Sequence, residues 1–119
     1  MFSVGNDLEQ IARFARLIEK QSFFHGVYTA YEREYIKNAR TPSATAAGFF
    51  CAKEAVAKAV GEGLFGLHPA HIEVYHAASG APQVRLLGRA AERYGNVALA
   101  VSISHAGEYA SAVCIAQWE

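Results

Sequence analysis

Apolar residues recur along this chain with two periods, and the switches between them outline a fold. Residues 1–4 are mostly apolar and run into Gly5-Asn6-Asp7, which predicts a short strand ending in a turn. Over residues 8–20 the apolar positions Ile11, Phe14, Ala15 and Ile18 fall at helical spacing, so an amphipathic helix is expected with Asp7 as its N-cap. Thr29-Ala30-Tyr31-Glu32 has the spacing of a capping box and opens a second helix to about Lys37. Residues 40–45 are polar and contain Pro42, which reads as a loop. Residues 46–60 are rich in alanine, free of proline and hold one glycine, so they should form the longest and most buried helix. Gly61, Gly63 and Gly66 stop it.

The second half alternates with the period of strands. Residues 72–75 and 83–87 read as two strands, and Ser79-Gly80-Ala81-Pro82 between them supplies hairpin turn chemistry. Residues 88–94 fit a short helix. Leu99, Val101 and Ile103 alternate with Ala100, Ser102 and Ser104 as a strand does, and Gly107-Glu108 marks a turn. Residues 109–116 are apolar on both faces and are expected to be a central strand covered on both sides. The sum is a single α+β domain over residues 1–119, with helices packed on a mainly antiparallel sheet.

Composition narrows the function. The chain has 119 residues, 52% of them hydrophobic, which suffices for one core. Eleven Lys and Arg balance eleven Asp and Glu, so the basic excess of a general nucleic-acid binder is missing. A phosphorylated ligand held by a few placed charges remains compatible with that balance. Cys51 and Cys114 lie outside any CxxC or disulfide framework, which points to a reducing compartment. Asp7 and Glu9 stand within the first ten residues and no basic-then-apolar run is present, so no signal peptide is read. No stretch has the length of a membrane span. A soluble, cytoplasmic protein is the expectation.

The densest polar signal lies inside the most apolar helix. In Phe49-Phe50-Cys51-Ala52-Lys53-Glu54-Ala55-Val56-Ala57-Lys58, the residues Phe50, Glu54 and Lys58 are four apart and share one helix face, with Lys53 a quarter-turn away. Glu54 and Lys58 are either an ordinary solvated ion pair or, one turn apart in an apolar setting, a carboxylate for a metal and an ammonium for a phosphate. Asp7 is either a plain N-cap or a second carboxylate from another element, and two carboxylates satisfy a hard cation that keeps waters or phosphates as its other ligands. His105 closes Val101-Ser102-Ile103-Ser104-His105 just before a turn, where it is either a surface histidine or part of a site. His68 and His71 lack further ligands at a zinc spacing and read as loop residues, and His25 and His76 carry no signal. Arg13, Arg16 and Lys20 form a stripe on the first helix, which is either solvated or a dock for an acidic partner helix.

Three of these pieces, in order, resemble the small bacterial holo-[acyl-carrier-protein] synthases. That family shows Gly-x-Asp-[Leu/Ile] near its start, Phe-x-x-Lys-Glu-Ala-x-x-Lys in a central helix and Ser-[Ile/Thr]-[Ser/Thr]-His in a late strand. Here they stand as Gly5-Asn6-Asp7-Leu8, Phe50 through Lys58, and Ser102-Ile103-Ser104-His105. Ala78-Ser79-Gly80-Ala81-Pro82 is similar to the family's hairpin turn and Gly61-Glu62-Gly63 to its helix end. The resemblance implies a 4′-phosphopantetheinyl transferase-like fold and transfer of 4′-phosphopantetheine from coenzyme A to a serine of apo acyl carrier protein, releasing 3′,5′-ADP, in fatty-acid and lipid biosynthesis. It implies catalytic roles for Asp7, Glu54 and Lys58. Asp7 and Glu54 would hold Mg²⁺, with Mn²⁺ as the alternative. Lys58, Gly61, Gly63, Pro82 and His105 would meet coenzyme A, Lys58 at the pyrophosphate and His105 near the nucleotide phosphate. Arg13, Arg16 and Lys20 would meet the carrier protein, and the chain would form a homotrimer with active sites between subunits.

Phosphoryl transfer of this kind needs positioning and charge neutralisation more than covalent chemistry, which suits a cation beside Lys58. A metal-bound water and Glu54 are both candidates for the base. Three positions depart from the family pattern. Phe49 stands where Arg is common and Ala81 where Lys is common, both at positions associated with coenzyme A, and Asn6 replaces an apolar residue or Thr. Two other readings compete with transfer. A binding module that holds coenzyme A or a carrier protein without transferring the arm is favoured by Phe49 and Ala81. A metal-dependent nucleotide pyrophosphate hydrolase would use the same carboxylates and leave the stripe on the first helix without a purpose.

Overall fold

The computed structural model describes residues 1–118, the side chains of Leu64 and Phe65 excepted. Its centre is a three-stranded antiparallel sheet in the order β1-β5-β4, made of β1 (Phe2–Gln10), β4 (Ala98–Ala106) and β5 (Tyr109–Gln117). Between the first and last of these come α1 (Ala12–Leu17), α2 (Gln21–Val27), α3 (Ala30–Lys37), α4 (Pro42–Ala59) and α5 (Gly63–Gly66). The hairpin β2 (Ile72–His76) and β3 (Pro82–Leu86) forms a second small sheet, and α6 (Gly88–Tyr94) leads from it into β4. The expected α+β architecture is present. No helix among the described residues is long and apolar enough to cross a membrane.

Helix α4 lies across one face of the main sheet, and small residues on both sides bring it close. The helix buries Ala47, Cys51, Ala52, Ala55, Val56 and Ala59, while β5 buries Ala110, Ala112, Cys114 and Ala116. At Gly5 the contact is backbone on backbone: a Cβ there would lie 2.0 Å from the Ala55 carbonyl oxygen and 2.7 Å from the Ala59 nitrogen. The helix begins at Pro42, four residues before the expected start, because proline needs no N–H in a first turn and has its φ already set. Its other end is as expected. Gly61 has φ +89°, and its N–H reaches the Lys58 carbonyl while that of Glu62 reaches Ala57, the paired bonds of a Schellman stop.

Two expectations near the N-terminus fail together. β1 does not turn at Asp7 but continues to Gln10, because β5 offers Ser111, Ala110 and Tyr109 as ladder partners to Leu8, Glu9 and Gln10. Asp7 is therefore a strand residue and caps no helix. The helical spacing that begins at Ile11 is real, and Phe14 is fully buried, but it is spent on the short α1 before the chain breaks at Lys20 and restarts as α2. A third expectation fails for β5. It is the central strand, yet only one face is covered, and Tyr109, Val113 and Ile115 look outward. Beside them on the same outer face lie Phe2, Val4 and Leu8 of β1, each more than 60% exposed.

The capping box of α3 is formed in both halves, and its glutamate does more than cap. Glu32 accepts from the Thr29 and Val74 amides and, at 2.7 Å, from Lys53 Nζ, with both side chains wholly inaccessible. Lys53 spends its other donors on the carbonyls of Pro69 and Ile72. Burial pushes the Glu32 carboxyl up and the Lys53 ammonium down, and six hydrogen-bonded contacts around the pair oppose that cost. The lysine thus locks α4 to α3 and β2 and does not face the cleft that Glu54 and Lys58 face. Lys53→Met leaves Glu32 buried without its cation, and the expected loss is about 3 kcal/mol or more of unfolding free energy in urea titration. A variant as stable as the parent would show that this pair does not hold the helix.

Candidate active site

The crossing of β1 and α4 assembles the site. Because successive strand residues point to opposite faces, Asp7 and Glu9 both face α4 while Asn6 and Leu8 face away. On the helix, Glu54 and Lys58 are one turn apart and turn toward β1. Lys58 Nζ donates to the Asn6 carbonyl at 3.0 Å and lies 3.3 Å from Asp7 Oδ1. Phe50, on the same helix stripe, packs 5.4 Å from the Phe14 ring and 6.2 Å from Phe23, closing the α1 side of the cleft. Asn6 meets Lys58 through its backbone, so the departure at its side chain leaves this contact intact.

The carboxylates here are crowded. Glu54 is raised above the ordinary carboxyl range by burial and then by the Asp7 charge, with Lys58 opposing. Glu9 is pushed up to about 7 by burial first and then by neighbouring Asp7, with Arg13, 3.4 Å away, pulling the other way. Asp7 Oδ2 is buried and has no hydrogen-bond partner. An orphaned carboxylate oxygen beside two carboxyls that resist ionising suits a divalent cation, which would replace missing donors and cancel the repulsion. Among the described residues no three His, Cys, Asp or Glu side chains converge on one point, so a cation here must complete its shell with waters or substrate oxygens. Glu9 was missed by the sequence reading because residues 8–20 were assigned to a helix. A strand through Gln10 would have set it beside Asp7.

The other expected coenzyme residues divide into two groups. Gly61 and Gly63 sit at positive φ just past α4, beyond Lys58. Pro82 and His105 line a separate cleft at the other end of α4, together with Tyr35, Thr45, Phe49 and His76. His105 is brought there by the register of the sheet, abreast of Ala110 and Glu9. It lies against the helix because residue 48 is glycine, where a Cβ would come within 2.9 Å of its Nε2. That nitrogen is 2.9 Å from the Ala44 carbonyl, which can only accept, so Nε2 carries the proton. His76, without signal in the sequence, stacks on Tyr35 and forms part of the same cleft wall. Arg13, Arg16 and Lys20 line a shallow groove with Gln10, Ala12 and Leu17 on the far side of α1, outside the carboxylate cleft. Arg13 is also tied to Glu9, so this basic stripe reaches the edge of the site.

Comparison with known proteins agrees with this arrangement. The family model described as the 4′-phosphopantetheinyl transferase superfamily matches residues 3–114. The chain is 40% identical over 119 residues to the holo-[acyl-carrier-protein] synthase of Clostridium kluyveri, covering 97% of this chain and 89% of that protein. It is 38% identical over 117 residues to the synthase of Caldanaerobacter subterraneus subsp. tengcongensis, covering 95% and 92%. Among solved structures, the Chronobacterium ammoniagenes ACPS–CoA complex superposes with a TM-score of 0.86 at 32% identity, over 100% of this chain and 98% of that one. The Helicobacter pylori synthase in complex with coenzyme A gives 0.83 at 30% identity, over 96% and 99%. With the motifs in order, the fold matched along its length and the acidic crossing of β1 and α4 in place, the chain belongs to the holo-[acyl-carrier-protein] synthases of the 4′-phosphopantetheinyl transferase superfamily.

Proposed function

We propose that this single-domain chain moves the 4′-phosphopantetheine arm of coenzyme A onto a serine of apo acyl carrier protein, with Mg²⁺ held by Asp7 and Glu54, and that its carrier serves fatty-acid synthesis in the cytoplasm. The observation that carries the reading is the meeting of Asp7, Glu54 and Lys58 at one crossing, with Asp7 Oδ2 left without a partner. The names of its relatives and the coenzyme A complexes among its structural neighbours support the donor and the acceptor.

The reaction forms a bond from the serine oxygen to the pantetheine-side phosphorus and breaks the bond from that phosphorus to the bridging oxygen, with 3′,5′-ADP leaving. A divalent cation here supplies charge neutralisation for the two phosphates. Lys58 is half-exposed on a flexible stem, so its ammonium can leave Asp7 for a phosphate oxygen of the donor. Gly61 and Gly63, without side chains, leave room for the donor to pass beyond Lys58. Pro82 and His105 line the cleft for its nucleotide end. Glu54 stands at the centre as metal ligand and as a candidate acceptor of the serine proton. Arg13, Arg16 and Lys20 offer the acidic carrier a basic edge beside the site.

The outer face of the sheet supports the proposed homotrimer. Phe2, Val4, Leu8, Val113 and Ile115 form a contiguous apolar patch on β1 and β5, of the kind that marks an interaction surface. A homotrimer that buries this face would compensate for the small core of a chain of this length.

Intact mass of an apo carrier protein, incubated with the enzyme, coenzyme A and Mg²⁺, should rise by one phosphopantetheine group and stay unchanged with EDTA. Glu54→Gln should abolish the gain, by at least about a hundredfold in rate, while the protein stays folded. An active, folded Glu54→Gln enzyme would sink the ligand assignment. Val113→Asp together with Ile115→Asp should shift the protein to monomers in light scattering, and a trimer that survives both changes would place the interface elsewhere.

The carboxylates also give the metal a pH signature. The folded pKa of Glu9, about 7, lies above its ordinary 4.5, so folding favours its protonated form. The metal-free protein therefore loses stability as pH rises from about 4.5 to about 7, and the loss levels off above that. A cation that relieves the repulsion should raise the Tm more at pH 8 than at pH 5. Equal Mg²⁺ shifts at the two pH values in differential scanning fluorimetry would place the cation away from this cluster.

A further inference from the structure

The cleft at the start of α4 is walled by rings and contains no fixed cation. It encloses about 280 Å³ between α3, α4, the β2–β3 hairpin and the end of β4. Tyr35 and His76 lie parallel, with centroids 4.7 Å apart and planes 10° apart. Phe49 closes the wall behind them, 5.4 Å from Tyr35 and 5.8 Å from His76. Pro82 and Ile103 supply further apolar lining. The polar points are few. His76 Nδ1 is buried and unpartnered, and burial holds that imidazole below the ordinary histidine range, hence neutral. His105, which the family resemblance sets beside the nucleotide phosphate, already donates its Nε2 proton to Ala44.

Lys and Arg are missing from the lining altogether. Phe49 stands at the helix position that points into the cleft, and Ala81 stands at the exposed hairpin turn between the lining residues Gly80 and Pro82. Arg40 lines a neighbouring groove that shares Tyr35 and Thr45 with this cleft, where it is exposed to solvent. A phosphomonoester carries close to two charges and gains affinity chiefly from fixed cations and their forked donors. A flat heteroaromatic ring gains instead from stacking and buried area, and His76 Nδ1 offers it one hydrogen-bonding point.

We infer that this enzyme reads the nucleotide end of its donor as a ring and not as a phosphomonoester, and so accepts coenzyme A lacking the 3′-phosphate about as readily as coenzyme A itself. The inference rests on the transferase reading above. With that donor the same bonds form and break: the serine oxygen takes the phosphopantetheine phosphorus, the serine proton passes to solvent, and 5′-AMP leaves in place of 3′,5′-ADP.

The test compares the two donors on the intact enzyme with Mg²⁺, by transfer to apo carrier protein and by calorimetric binding. The expected kcat/KM and Kd values differ by less than about threefold between donors. Ala81→Lys, at an exposed turn where folding is not at risk, should add a preference for coenzyme A of about fivefold that salt removes. A parent enzyme that favours coenzyme A by more than about tenfold overturns the inference, and Arg40→Ala then shows whether the guanidinium in the neighbouring groove is the reader. Equal binding of both donors without transfer of either would defeat the transferase reading and leave the account of the cleft standing. Failure of both donors to bind would overturn both.

Discussion

Everything in the candidate site depends on β1 pressing its backbone onto α4 at Gly5. A side chain there would meet the Ala55 carbonyl at 2.0 Å, so any other residue would force strand and helix apart. The same contact fixes where the next inward residues fall. Asp7, two positions on, arrives opposite Glu54 and Lys58, and Glu9 follows it. The glycine of the Gly-x-Asp motif and the alanines of the central helix are therefore one device. Small residues remove the spacing that side chains would impose, and charged groups on two elements meet within hydrogen-bond distance.

The opposite side of α4 is held by different means. Lys53 and Glu32 exchange charge and hydrogen bonds in a wholly buried setting, and Glu32 also ties down the start of β2 through Val74. Adjacent residues of one motif thus have divergent tasks: Lys53 anchors the helix and Glu54 faces the cleft. A quarter-turn of helix separates them, and burial decides which is structural. The cost of desolvating the anchor is met locally by donors and acceptors that belong to three elements, which explains why α3, α4 and β2 keep one relative placement.

Much of this was legible in the sequence where a residue type leaves little choice. The capping box at Thr29, the Gly61 stop and the Gly80 turn each answer a local geometric need and formed as read. The three site motifs carried Asp7, Glu54 and Lys58 to one place. What failed depended on partners distant in sequence. Leu8, Glu9 and Gln10 look helical beside Ile11 and Phe14, yet β5 holds them as strand, and with that error went Glu9. The apolar pattern of β5 reads as burial on both faces, but a single chain covers only one, so the pattern records a face that needs another surface. His76 gave no signal because stacking on Tyr35 joins residues 41 positions apart.

The length of α4 relates the two ends of the site. Phe49 and Lys58 are nine residues apart, about 13 Å along the helix at 1.5 Å per residue, with Glu54 between them. A nucleotide lying along this helix would have its ring against Phe49 and His76 and its pyrophosphate near Glu54 and Lys58. The two ends therefore call on different forces. At the carboxylate end affinity comes from charge, which salt screens and protons remove. At the ring end it comes from contact area, which neither changes much. Replacing a cation by Phe49 shifts the balance between these forces without touching the crossing of β1 and α4. Donor recognition can thus change at one end of the helix while the groups proposed for the chemistry remain fixed by Gly5 at the other.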